Sequence, residues 1–426
     1  MKRLLLLCLA LSAMCGAHAQ LTLDECRALA REHYPEIRQY DLIRRSADYS
    51  LSNARRAWLP RLSLTAQATW QTDVPGFPEQ MTGLLAAQGL DIPGLNRDQY
   101  KVQIELYQTL WDGGKSAADK QLAEAEAAEG RRSTDVDLYA LEGRVDDLYF
   151  GILLLDERLA QSRLTIGLLG DNLEKIRSLQ RNGAAMQSDA DAVEAELLAA
   201  GQQAAQIEST RASYRQMLAI FIGRELAGEK LERPSVSEPL ATGSARPELA
   251  LFDARIDKLT AQEKQIISAS RPRLGLFAQG YYGYPGMDYF KNMITSDWSW
   301  NALVGVKLSW NFGAYYTRKN SLGQLRTARQ GVEVQRDLFR FNNALEIARE
   351  NGEIARLRRA LADDDRIVQL RRSVREAAES KLRNGVIDTN DLLRKITEEE
   401  TATAARNARE IELIKTIYEL KHTINR

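Results

Sequence analysis

Asp189 and Asp391 carry the most chemical interest, because each stands six positions after a glycine in one of two matching turns. The turns read Arg181-Asn182-Gly183 through Ser188-Asp189, and Arg383-Asn384-Gly385 through Asn390-Asp391. Carboxylates gathered where a pore is narrow would attract cations and repel anions. An acid in the first turn of a helix also simply complements the helix dipole, with Ser188 or Thr389 as the capping residue. The sequence leaves both readings open. Gly183 and Gly385 divide in the same way. Each supplies a left-handed backbone at a helical hairpin, and each would let a partner hairpin come close.

Catalytic chemistry finds little support. Once a leader is removed only His33 and His422 remain, far apart in the chain, beside a lone Cys26. That set suits neither a metal site nor a nucleophile with its base. Gly113-Gly114-Lys115-Ser116 resembles the end of a phosphate loop, but the required first glycine falls on Thr109. The carboxylate runs Asp146-Asp147, Asp363 to Asp365 and Glu398 to Glu400 lie in polar helical stretches and read as solvated faces. No enzymatic activity, cofactor or metal is expected.

Residues 1–19 have the layout of a secretion leader. Lys2 and Arg3 supply charge, Leu4 to Ala13 the apolar run, and Ala17-His18-Ala19 the small-residue cleavage pattern. Cleavage would remove Cys8 and Cys15, leaving one thiol and no internal disulfide. The full chain balances 58 basic against 58 acidic residues, so losing Lys2 and Arg3 leaves a net charge near −2. That balance argues against a general nucleic-acid binder. No later stretch holds about 18 consecutive apolar residues, so no transmembrane helix is expected.

The chain repeats itself. Leu59-Pro60-Arg61-Leu62-Ser63-Leu64 returns 212 positions later as Arg271-Pro272-Arg273-Leu274-Gly275-Leu276, and Tyr34-Pro35-Glu36 returns at the same shift as Arg246-Pro247-Glu248. The Arg-Asn-Gly turns are 202 apart. An insertion of about ten residues therefore sits in the loop after the first strand of the first copy. The organisation expected is a first repeat over 20–226, a linker over 227–245 and a second repeat over 246–426. Each copy reads helix, strand, loop, strand, very long helix, turn, helix.

Residues 114–181 contain no proline and hold an apolar heptad, Leu138, Val145, Ile152, Leu159, Ile166 and Leu173, with a companion line through Leu141, Leu148, Leu155, Leu169 and Ile176 broken only by Ser162. That is a coiled-coil seam. The second copy keeps Ile347, Ile354, Leu361 and Val368, but its companion line carries Glu350 and Asp364. A helix of about 68 residues runs roughly 100 Å, nearly matched by the two shorter helices of a copy placed end to end. The strands alternate: Trp300, Ala302, Val304, Val306, Leu308 and Trp310 face one way, and Asn301, Gly305, Lys307, Ser309 and Asn311 the other, with Leu303 the exception. Ten such residues, tilted by about 40°, span roughly 25 Å, the height of an outer-membrane apolar band. All six tryptophans lie in or beside the four alternating segments, so Trp70, Trp111, Trp298, Trp300 and Trp310 are read as an aromatic girdle. Four strands cannot close alone, whereas three chains would give twelve.

The duplication, the Leu110-Trp111-Asp112-Gly113-Gly114 turn and the paired Arg-Asn-Gly turns together resemble the outer membrane efflux protein family, of which TolC is the prototype. The resemblance implies a mainly helical chain with a small membrane β-barrel. It implies a homotrimer forming a twelve-stranded barrel in outer membrane lipid and a tunnel of long helices in the periplasm. The tunnel would narrow at the Arg181 to Gly183 and Arg383 to Gly385 turns, where a periplasmic adaptor and an inner-membrane transporter dock. It further implies an acidic ring at that mouth from Asp189 and Asp391. This chain departs from the pattern by placing Arg394 three residues after Asp391, with Asp388 three residues before it. An exported coiled-coil stalk and a periplasmic scaffold remain the rival readings.

Overall fold

In the computed structural model the described residues are 20–90, 92–183, 185–226, 228–235, 244–384, 386–387 and 389–425. Residues 1–19, expected to be a leader, the middle of the 227–245 segment, Gly385 and Asp388 lie outside them. The first copy runs α1 (Leu23–His33), a 3-10 turn (Pro35–Arg38), α2 (Gln39–Arg56), β1 (Arg61–Trp70), α3 (Glu79–Ala87), β2 (Asp98–Trp111), α4 (Lys115–Arg181) and α5 (Gln187–Ile222). The second runs α6 (Pro247–Ala269), β3 (Arg273–Tyr284), α7 (Tyr289–Ile294), β4 (Ser299–Ser309), α8 (Ala314–Arg383) and α9 (Thr389–Ile424). The long helices hold 67 and 70 residues. No described helix is long and apolar enough to cross a membrane.

Two local expectations need correction. Pro35 to Trp58, helical in its sequence pattern, is not one α-helix: the proline opens a single 3-10 turn behind an extended Tyr34, and α2 follows it. The loop after each first strand also carries a short helix, α3 or α7, that the sequence reading left as coil. These loops share a small core of Leu95, Tyr284 and Met293, with Val74, Phe77 and Ile92 packed against it.

The chain forms two compact units, each drawn from both copies. One gathers the residues up to Tyr40, Arg131–Leu251 and Val334 onward; the other gathers Asp41–Gly130 and Phe252–Glu333. In the first, Thr22 caps α1. Its hydroxyl accepts from the Glu25 N–H at 3.2 Å, and the Glu25 carboxylate accepts from the Thr22 N–H at 3.0 Å. Cys26 and Ala30 on α1 then pack against Leu138, Val145, Tyr149 and Ile152 of α4 and Leu218 and Ile222 of α5. The Cys26 thiol is pushed up to about 12 by burial. The Tyr149 hydroxyl, 2.8 Å from the Leu21 carbonyl and 2.6 Å from that of Glu232, locks the bridge between Leu21 and Leu231.

The heptad seam of α4 is buried at Leu138, Leu141, Val145, Leu148 and Ile152, and less evenly so beyond. The second hairpin solves its polar seam differently. Glu350 is buried with its carboxylate accepting from the Thr423 hydroxyl at 3.0 Å, and Asp364 pairs with Arg409 across to α9. Arg371 with Glu398, Arg372 with Glu399 and Arg406 with Asp365 add pairs at 2.5, 3.1 and 2.9 Å. Polar positions in this seam are therefore contacts rather than breaks.

The second unit holds one antiparallel sheet in the order β1-β2-β3-β4. Leu64 pairs with Ile104, Ile104 with Gly280 and Gly280 with Ala302, so the alternating apolar positions share a face. A register slip between Thr109 and Trp111 ends the β2–β3 ladder. Asp112 follows at once and caps α4. Its two carboxylate oxygens accept from the N–H groups of Gly114 at 2.9 Å and Ser116 at 2.6 Å. Gly113, at φ +71°, leaves no room for a side chain: a Cβ there would stand 2.8 Å from the Arg271 Cβ and 3.0 Å from the Pro272 carbonyl.

Burial alone would raise the Asp112 pKa, but the hydrogen bonds from Ser116, Gly114 and Lys115 outweigh it and hold the group below its ordinary value. A lowered folded pKa contributes stability above the unfolded range, about pH 4, that is lost as pH falls through the folded value. Asp112→Ala is expected to cost about 1–2 kcal/mol and Gly113→Ala a similar amount or more. Thermal unfolding in detergent, followed from pH 7 down to pH 3, measures both. The Asp112→Ala deficit should shrink at the acid end.

Candidate functional site

Two parts of the chain could serve a conduit: the sheet of one unit and the hairpin tips of the other. On the sheet, apolar residues at alternate positions face solvent in the isolated chain. Leu64 is 68% exposed, Val304 69% and Trp300 80%, and Ile104 and Leu62 are exposed too. A sheet face of Leu, Val, Ile and Trp left uncovered asks for an apolar neighbour. The opposite face carries Ser63, Thr65, Gln67, Gln103, Gln279 and Asn301 in the same register.

Tryptophans gather at the ends of this face. At one end Tyr100 stacks on Trp298 at 5.8 Å, and Tyr282 meets Trp298 at 5.4 Å and Trp300 at 5.0 Å. Trp70 closes β1 there, opposite Asp98. At the other end Trp111 finishes β2, and Trp310 follows β4 with its Nε1–H donating to the Ser270 carbonyl at 3.1 Å. The structure thus brings the five tryptophans to the two ends of one sheet.

At the first tip α4 ends at Arg181, with the Asn182 and Gly183 N–H groups bonding the Leu179 and Gln180 carbonyls at 3.1 and 2.9 Å. Gly183 takes φ +71°, and open space surrounds it. Ser188 is not the cap: α5 begins at Gln187, so Ser188 lies inside its first turn. The Asp189 carboxylate instead reaches back to accept from the Met186 N–H at 3.0 Å. At the second tip the Asn384 N–H bonds the Ser380 carbonyl at 3.2 Å, and Val386 bonds that of Lys381 at 2.9 Å. Asp391 occupies the matching third position of α9, with the Arg394 guanidinium 3.4 Å from its carboxylate. Each acid is engaged within its own hairpin. The capping role of Asp112 and the reach of Arg394 were missed from the sequence. An Asx-type turn after a strand end would have signalled the first, and i,i+3 spacing the second.

Residues 27–224 match the family described as outer membrane efflux protein. Among solved structures, the chain is similar to VceC from Vibrio cholerae (TM-score 0.65, 15% identity), covering 94% of this chain and 95% of that one. It is likewise similar to the Campylobacter jejuni CmeC channel (0.66, 13%, covering 94% and 85%). The open-state Neisseria gonorrhoeae MtrE channel gives 0.64 at 16%, covering 94% and 88%. At these identities the likeness is one of fold, that of TolC-like outer membrane channels. No curated protein gives a significant sequence match.

The Asp189 geometry separates cap from charge. Asp189→Asn keeps an acceptor for the Met186 N–H and should change stability by under about 0.5 kcal/mol, whereas Asp189→Ala should cost about 1 kcal/mol. Chemical denaturation followed by circular dichroism compares them.

Proposed function

We propose that this protein is the exit duct of a tripartite efflux or secretion system, a homotrimer seated in the bacterial outer membrane with its helices in the periplasm. The observation that carries this is the sheet: four strands with two free edges and an uncovered apolar face. In lipid such a sheet is stable only when closed, and three chains supply twelve strands. The apolar face then meets lipid, with Trp70, Trp111, Trp298, Trp300 and Trp310 at its two borders. The polar face lines a wet path.

The duct works passively. A periplasmic adaptor and an energised inner-membrane transporter engage the tips at Arg181, Asn182 and Gly183 and at Arg383, Asn384 and Gly385. Their binding favours an arrangement of the hairpins in which the mouth is open. The ion pairs between α8 and α9 are suited to such a change, since exposed pairs exchange for water at small cost. Asp189, Asp391 and Asp388 would set the charge of that mouth, with Arg394 offsetting Asp391.

Purified protein in a planar bilayer should give discrete current steps; a solid stalk gives none. Cysteines placed at Gly183, crosslinked in cells, should capture an adaptor or transporter. Monomers alone on the gel, beside a folded and membrane-inserted protein, would remove tip docking from the account.

A further inference from the structure

The strands' polar face is not neutral. Cross-strand pairing puts Arg61, Lys101, Arg273 and Lys307 on it together with a single acid, Glu105. Within the four strands that is an excess of three positive charges per chain on one face. Asp98, the other strand acid, pairs with Trp70 on the opposite face.

The charges are also ordered along the strands. Arg61 shares a rung with Tyr107, Phe277 and Gly305; Lys307 lies one residue pair further on, opposite Gly275; Arg273 lies one pair beyond that, opposite Ser309. All three stand at the end where the strands join α2, α4, α6 and α8. β1 and β4 are the sheet's two edges, so Arg61 and Lys307 lie on the strands that neighbouring copies would bring together. The remaining charges have neutral partners. The Lys101 ammonium lies 4.3 Å from the Tyr281 ring centroid, and Glu105 accepts from the Gln279 and Gln103 amides at 3.1 and 3.3 Å.

Resting on the duct reading above, we infer that this face forms a basic belt that makes the exit section favour anionic over cationic cargo. Fixed charges lining a narrow aqueous path raise the local concentration of counter-ions. The reach of that field is about 10 Å at 0.1 M salt and about 30 Å at 0.01 M, so dilute salt strengthens the preference. The duct would then change sign along its length wherever acids line its far mouth.

The test is the reversal potential of the full protein in a planar bilayer under a potassium chloride gradient. The triple variant Arg61→Gln, Arg273→Gln, Lys307→Gln should shift it toward potassium preference, and further at 0.01 M than at 0.1 M salt. Glu105→Gln should shift it toward chloride. Should the triple variant fail to insert, Glu105→Gln decides alone, since it removes the face's one acid. Current steps with a reversal potential unmoved by these changes would overturn the basic belt while leaving the duct intact. No current steps from the wild type would overturn the duct reading, and the belt with it.

Discussion

A β-strand at the margin of a sheet exposes a row of N–H and C=O groups, and in hydrocarbon each unmet group costs several kcal/mol. That constraint organises this molecule. β1 and β4 are both margins, and the apolar face between them is uncovered in a single chain. Water would penalise the apolar face and lipid would penalise the margins. In the proposed trimer, closure inside a bilayer would satisfy both and would put Ser63, Gln103, Gln279 and Asn301 on the inside. A polar interior then follows from strand alternation without any residue being dedicated to it.

The helices inherit this arrangement through the strand ends. At Trp111 the β2–β3 ladder slips, and Asp112 converts the strand into α4 by accepting two N–H groups that the first helical turn leaves free. The close approach at Gly113 fixes that junction against Arg271 and Pro272, which immediately precede β3. The two hairpins are not alike. The first packs Val145, Tyr149 and Ile152 into an apolar core, whereas the second meets much of its partner through arginine–carboxylate pairs. The difference is one of proportion, since Arg211 also pairs with Asp156 in the first hairpin and Ile354, Ile417, Leu420 and Ile424 form an apolar cluster in the second.

Much of this was legible in the sequence because its signals are periodic. The heptads through Leu138 and Leu141 marked α4, and alternation from Trp300 marked β4. What was not legible depends on contacts between distant residues. Ser188 looks like a cap from its type, but Met186 takes that position because Asp189 reaches back to its N–H. Glu350 looks like a break in the seam until Thr423, 73 positions away, supplies a hydroxyl. The two loops meet through Leu95, Tyr284 and Met293, the first of them far from the other two in the sequence. The basic face emerges only once register aligns Arg61 with Phe277 and Lys307 with Gly275. For the tip acids, each hairpin accounts for its own carboxylate, so their role in a pore rests on the assembly rather than on the chain.

Closure between copies is most directly measured by cysteine pairs placed one on β1 and one on β4, scanned from Ser63 to Thr69 against Asn301 to Lys307 in protein oxidised in native membranes. At the correct register the link runs from one copy to the next and yields a covalent trimer on a denaturing gel. Folded, membrane-inserted protein that gives no link between copies at any register, or only a link from β1 to β4 of the same chain, would contradict the account.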